Sequence, residues 1–208
     1  MTVLYLSPHL DDAALSASIA IQRDLAQGEP VVVATFFTEA HDGAARRSED
    51  RAAMEVLGAT PIHLGLVDFP ERRGVAPSFR VLCVDRDEAA EAVDLGAAEA
   101  ALDALLTTVR PTRAVLPLGI GGHVDHRIVA RLAPRVVDLP VAFYEDFPYA
   151  MVPSWVEAAF ARPTRVAPGA LQAAIDAALP GFAAGAADID ELARLLASPL
   201  PAERGDLT

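Results

Sequence analysis

One cysteine in 208 residues, Cys83, excludes an intrachain disulfide. Its neighbours Val81, Leu82 and Val84 are apolar, so the thiol reads as a small buried hydrophobe rather than a nucleophile or a metal ligand. Positive charge is also scarce: 17 basic residues face 29 acidic ones, a formal net charge of −12. Polyanions are repelled on average, which argues against nucleic acid and anionic membrane surfaces as partners. The pair Arg46-Arg47 is enough to hold a single anionic group. No stretch approaches the ~18 consecutive apolar residues of a membrane span, and Met1-Thr2-Val3-Leu4-Tyr5 has no basic leader segment ahead of an apolar run. The expected location is therefore cytoplasmic, with no membrane span. Internal repeats and long low-complexity linkers are absent.

What is present is a chain with 52% hydrophobic and 22% charged residues, enough to bury one substantial core. Apolar, β-branched runs at 3–6, 31–37, 61–64, 113–118 and 141–145 read as strands. Between them, 13–27, 46–57, 87–109 and 125–137 carry helical spacing, with Gly28 and Gly58 as stops and Asp87 as an N-cap. Residues 69–86, with Pro70, Gly74 and Pro77, lack periodicity and read as a long surface loop. Strands alternating with helices predict an α/β fold, a Rossmann-like three-layer sandwich with a mostly parallel sheet and helices on both faces. The expected organisation is one domain over 1–150 and a C-terminal helical extension over 151–208, its clearest pieces at 171–179 and 189–196. That extension would cover the domain or help form a homo-oligomer.

Two loops carry the chemistry. Ser7-Pro8-His9-Leu10-Asp11-Asp12 leaves the first strand, and His123-Val124-Asp125-His126 comes after the fourth. In an open α/β sheet, ligands bind beyond the carboxyl ends of the strands, so both loops belong at that edge. His9, Asp12 and His126 make a set of two imidazoles and a carboxylate suited to zinc or ferrous iron with open positions. Adjacent carboxylates cannot both reach one metal. One of Asp11 and Asp12 ligates while the other faces water as a general base. His123, three residues before His126, shares its face if both lie in the first turn of a helix.

These paired signatures resemble those of the PIG-L/LmbE family, zinc-dependent de-N-acetylases of N-acetylglucosamine conjugates and related amino sugars. The family's first motif is commonly His-Pro-Asp-Asp-Glu; here Leu10 replaces the Pro and Ala13 the Glu. The resemblance spans roughly residues 2–150 and implies that His9, Asp12 and His126 bind Zn2+. It also implies that Asp11 is the general base, and that His123, oriented by Asp125, is the acid or oxyanion stabiliser. Arg46, in an Arg-x-x-Glu helix with Glu49, and Asp68, after the third strand, are implied substrate contacts. Tyr144 begins a segment, Tyr144-Glu145-Asp146-Phe147-Pro148-Tyr149, that resembles one near the family's active site.

Plainer roles stand beside these. Asp125 can be a first-turn acid complementing a helix dipole, Arg46 a solvated charge, Asp68 a turn residue and Tyr144 a core residue. His63 reads as core and His41 as surface. The resemblance implies a hydrolase that removes an acetyl or other N-acyl group from an amino-sugar-containing small molecule or glycoconjugate. The alternatives are an amide hydrolase acting on a non-sugar acylated metabolite, and a non-catalytic binding protein on the same fold.

Overall fold

The computed structural model describes residues 1–78, 80–84, 87–153 and 155–156. The helices expected at 171–179 and 189–196, and with them most of the expected extension, lie outside the described residues. Five strands form one sheet: β1 (Val3–Ser7), β2 (Val31–Glu39), β3 (Thr60–Val67), β4 (Arg113–Pro117) and β5 (Val141–Tyr144). The order is β3-β2-β1-β4-β5 and every pairing is parallel. The short apolar run of β1 takes the middle of the sheet, and all five of its residues are buried there.

Alternation along β1 divides the core into two faces. Leu4 and Leu6 join Phe36, Leu102, Leu116 and Ile128, under α4 (Glu88–Val109) and α5 (Val124–Ala130). Val3 and Tyr5 join Ala17, Ile21, Val33 and Met54, under α1 (Asp12–Ala26) and α2 (Gly43–Leu57). Helices therefore cover both faces. At the amino edge of the sheet the Tyr5 hydroxyl donates to Asp24 Oδ2 at 2.5 Å, and Arg113 Nη2 meets the same oxygen at 2.6 Å.

The chain moves outward from β1 to β2 and β3, then crosses to β4 on the other side of β1. That reversal opens a crevice beyond the carboxyl ends of β1 and β4, where the two chemical loops begin. Three stretches differ from expectation. The supposed loop at 69–86 contains a helix, α3 (Phe69–Arg73), and a π-helical turn, Arg80–Val84. Asp68 Oδ1 accepts from Phe69 N at 2.7 Å, Pro70 fits the first turn, and Gly74 closes the helix at φ +63°. Helical structure over 125–137 is broken: α5 ends at Ala130, and a 3-10 turn carrying Pro134, Ala133–Val136, comes next. His123 is the N-cap of α5 rather than a residue of its first turn. Among the described residues no helix is long and apolar enough to cross a membrane.

Candidate metal and hydrolytic site

Local hydrogen bonds shape the first loop around one carboxylate oxygen. Ser7 Oγ donates to His9 O at 2.8 Å and accepts from Ala13 N at 3.2 Å, folding the turn back onto the start of α1. Asp12 Oδ2 then accepts from His9 N at 2.8 Å and lies 3.2 Å from both His9 Nδ1 and His126 Nε2. Ligand atoms about 2.0–2.1 Å from a tetrahedral zinc lie roughly 3.3 Å apart. The two 3.2 Å edges match that spacing. His9, Asp12 and His126 are all buried and their ligand atoms lie within 4.8 Å of one another, so the residues present fit a divalent cation.

Each imidazole is gripped on its far side as well. His9 Nε2 is 3.1 Å from Asp125 Oδ2 and 3.4 Å from Asp68 Oδ1, while His126 Nδ1 is 2.7 Å from Asp146 Oδ1. Asp146 Oδ2 in turn accepts from Ile120 N at 2.9 Å. Carboxylates behind ligating histidines set the tautomer and the ring direction. Without a metal, burial works against charge on His126, but Asp12 and Asp146 outweigh it and raise its pKa to about 9. Burial likewise opposes charge on His9, and its three carboxylate partners, Asp12 foremost, hold its pKa well above the usual value. Asp12 is pushed well below the carboxylate range, with burial overcome by His126 and His9.

His123 differs from the other two. Burial and the neighbouring rings of His9 and His126 drive its pKa well below the ordinary imidazole range, and the ring centroids stand 5.0 and 5.1 Å away. Its Nδ1 accepts from Asp125 N at 3.2 Å, so the neutral ring carries its proton on Nε2. The carboxylate of Asp125 is directed elsewhere, to His9, to Phe69 N at 3.2 Å and to Arg72 Nη2 at 2.5 Å. A second trio, His9, His123 and Asp125, also falls within 4.8 Å, but these partners already occupy both oxygens of Asp125.

A cavity of about 690 Å³ opens over the centre, lined by His9, Asp11, Asp12, His123, His126, Arg46 and Asp68 among others. Asp11 is the N-cap of α1 yet makes no side-chain cap bond, and its Oδ1 lies 3.6 Å from Arg46 Nη2. Arg46 Nη1 is 3.9 Å from Asp68 Oδ2. Against a normal carboxyl, Asp68 is drawn down to about 2, its burial outweighed by His9 and by the Phe69 amide. Leu15, Val75, Pro77, Leu82 and Phe147 form apolar parts of the wall, and His41 and Glu71 another part, joined at 3.1 Å.

Eight of the nine residues read as site residues from the sequence therefore gather at one place: His9, Asp11, Asp12, Arg46, Asp68, His123, Asp125 and His126. Tyr144 is not brought to the cavity: it is buried in the α1/α2-side core and its hydroxyl donates to Leu6 O at 3.0 Å, in keeping with the core role. His63 meets Asp50 at 2.7 Å between β3 and α2, and His41 is exposed. Three participants had no role assigned from sequence. Asp146 and Tyr149, whose ring lies 5.6 Å from His126, fall in the quoted segment 144–149, but nothing in their spacing distinguishes them from its other polar and aromatic residues. Arg72 was signalled only by the cap-and-proline pattern of Asp68 and Pro70, which marks the start of a helix without showing where its side chains reach.

Residues 4–137 match the family model described as PIG-L, GlcNAc-PI de-N-acetylase. Among solved structures, a deacetylase of teicoplanin biosynthesis shares 24% identity, covering 73% of this chain and 69% of that one with a TM-score of 0.61. A zinc-inhibited form of teicoplanin deacetylase gives 24% identity, 73% and 70% coverage and 0.61. A pseudoaglycone deacetylase of another antimicrobial gives 24% identity, 72% and 65% coverage and 0.59. At this identity these structures show a common fold. No curated protein sequence gives a significant match.

Proposed function

This chain belongs to the PIG-L family of GlcNAc-PI de-N-acetylases, and from that premise we propose that it is a metal-dependent hydrolase removing an N-acyl group, acetyl foremost, from an amino-sugar-containing small molecule or glycoconjugate. The observation that carries the reading is the His9–Asp12–His126 cluster with its 3.2 Å edges, opening on the same cavity as the uncapped carboxylate of Asp11. His9, Asp12 and His126 would hold the ion, zinc or ferrous iron. Such an ion supplies Lewis acidity, polarising an amide carbonyl and acidifying a water.

The protein's own groups do the rest. Asp11 takes the proton of the water that attacks the acyl carbon, and returns it to the amine as the C–N bond breaks. Neutral His123 already uses Nδ1 as an acceptor. Giving up its Nε2 proton would leave an imidazolate, so it serves as a hydrogen-bond donor to the oxygen that gains negative charge. Arg46 and Asp68, close enough to pair loosely, would hold hydroxyls of a sugar ring while the acyl group sits over the metal ligands.

A second reading, a non-sugar acylated metabolite as substrate, is favoured by the apolar side of the cavity, where Leu15, Val75, Pro77, Leu82 and Phe147 offer no hydrogen-bonding side chains. The zinc-loaded protein should release acetate and free amine from at least one member of a panel of N-acetyl amino sugars, and lose that activity on chelation. Turnover confined to non-sugar amides would establish the second reading. Bound metal with no hydrolysis of either class would leave a binding protein.

A further inference from the structure

Arg72 lies outside both chemical loops, yet its side chain is only 12% exposed and each guanidinium nitrogen is used. Nε donates to Asp94 Oδ2 at 3.0 Å, Nη1 to Val67 O at 2.8 Å and Nη2 to Asp125 Oδ1 at 2.5 Å. Phe37 and Phe69 flank it, with ring centroids 4.7 and 5.2 Å from Cζ. A planar fork held this firmly defines the position of whatever it grips. What it grips is Asp125, fully buried, whose other oxygen faces His9 Nε2 at 3.1 Å.

We propose that Arg72 is a positioning residue of the metal centre: it neutralises Asp125 and aims it at Nε2 of His9, so that His9 presents Nδ1 to a divalent cation. This rests on the reading of His9, Asp12 and His126 as metal ligands. A His9 that gives its Nδ1 lone pair to a cation is a neutral ring with its hydrogen on Nε2. Asp125 then keeps a hydrogen bond from His9 but no charge from it. Arg72 supplies the full positive charge that a carboxylate at zero exposure requires. The short helix α3 thus brings Arg72 and the Phe69 amide to the same carboxylate.

The test titrates chelator-treated full-length protein with Zn2+ and with Co2+, the latter followed by its visible absorption. Wild type should bind one equivalent. Arg72→Met should bind both ions on the order of 10–100-fold more weakly with an altered Co2+ spectrum, and Arg72→Lys, which keeps a cation in the slot, should fall between the two. Arg72→Met placed on Asp125→Asn should weaken binding no further than Asp125→Asn alone, because the arginine acts through that carboxylate. If Arg72→Met does not fold, Arg72→Lys alone and Arg72→Lys placed on Asp125→Asn carry the comparison. Binding within threefold of wild type and an unchanged Co2+ spectrum in folded Arg72 variants would overturn the proposal. A wild-type protein that binds neither ion would instead overturn the metal-site reading beneath it.

Discussion

Asp12 Oδ2 is the atom on which the centre converges, with two imidazole nitrogens and a backbone amide around it. In the metal-free protein that convergence is held together by protons. The folded-state pKa of His126, about 9, exceeds the unfolded value near 6.5. The stabilisation it gives is therefore complete below about pH 6.5 and disappears as the pH rises through 9. His9 works in the same direction. A cation must displace these protons, so zinc affinity should rise with pH across that window, and calorimetric titrations in buffers of different ionisation enthalpy should show protons released on binding. Equal affinity at pH 6.5 and 9 with no proton release would remove this cluster as the binding site. Asp11 makes no bond to the cluster, so Asp11→Asn should keep the metal content of wild type while turnover falls by ~10²–10⁴-fold. Metal analysis and acetate release, measured on the same preparation, separate the two effects. His123→Gln, which retains an N–H donor, should keep more activity than His123→Ala, whose loss should be ~10²–10³-fold. Equal loss in the two would mean that a proton is transferred from this ring.

Among the elements, the Gly119–Gly122 turn between β4 and α5 sets the approach of Tyr149 to the site. Gly121 has φ +81°, and a Cβ there would come within 2.4 Å of Tyr149 Cγ and Cδ1. Gly28 has nearly the same φ, +80°, with nothing within 4 Å of a Cβ. Gly28→Ala therefore measures the backbone strain alone, about 1 kcal/mol or somewhat more. Gly121→Ala should cost that amount plus the displacement of Tyr149 from His126, read as a larger drop in urea midpoint and a changed KM. Equal destabilisation would show that Tyr149 moves freely. The helix α3 illustrates what element-level reading misses. Its five residues are too few to show periodicity, and only the cap Asp68, Pro70 and Gly74 mark it, signals that also fit an irregular loop. The break before Pro134 has the opposite logic, since the proline that weakens a long helix fits readily at the start of a new short turn.

At the scale of the whole molecule, the candidate metal site joins β1, α1 and α5 with side chains from α3 and from the segment after β5, so an ion bound there would couple to folding. Zinc at a hundredfold excess over its Kd should stabilise the fold by about 2.7 kcal/mol, a rise in Tm of roughly 5–10 °C for a domain of this size. His126→Ala should abolish that rise, and near pH 9, where the charge on His126 contributes least and zinc binds best, the variant should remain folded. A thermal scan with and without chelator decides it, and a rise that persists in His126→Ala would place the metal elsewhere. The succession of strands and helices, the two-faced covering of the sheet and the location of both chemical loops were legible in the sequence, because each depends on local patterning: apolar runs, helical spacing and the polar residues at the carboxyl end of a strand. The clustering of His9, Asp12 and His126 was legible too, since they lie in two short segments that each follow a strand. Contacts between segments distant in sequence were not. Nothing near Asp125 shows that its carboxylate faces His9 and Arg72 while its amide serves His123, and nothing near Tyr144 shows that its hydroxyl turns to Leu6. By itself the sequence determined the fold class, the edge of the sheet where both loops lie and the identity of the groups they carry. The tertiary structure decided which oxygen faces which nitrogen, because a buried carboxylate takes its partners from whatever the packing of other elements brings within about 3 Å.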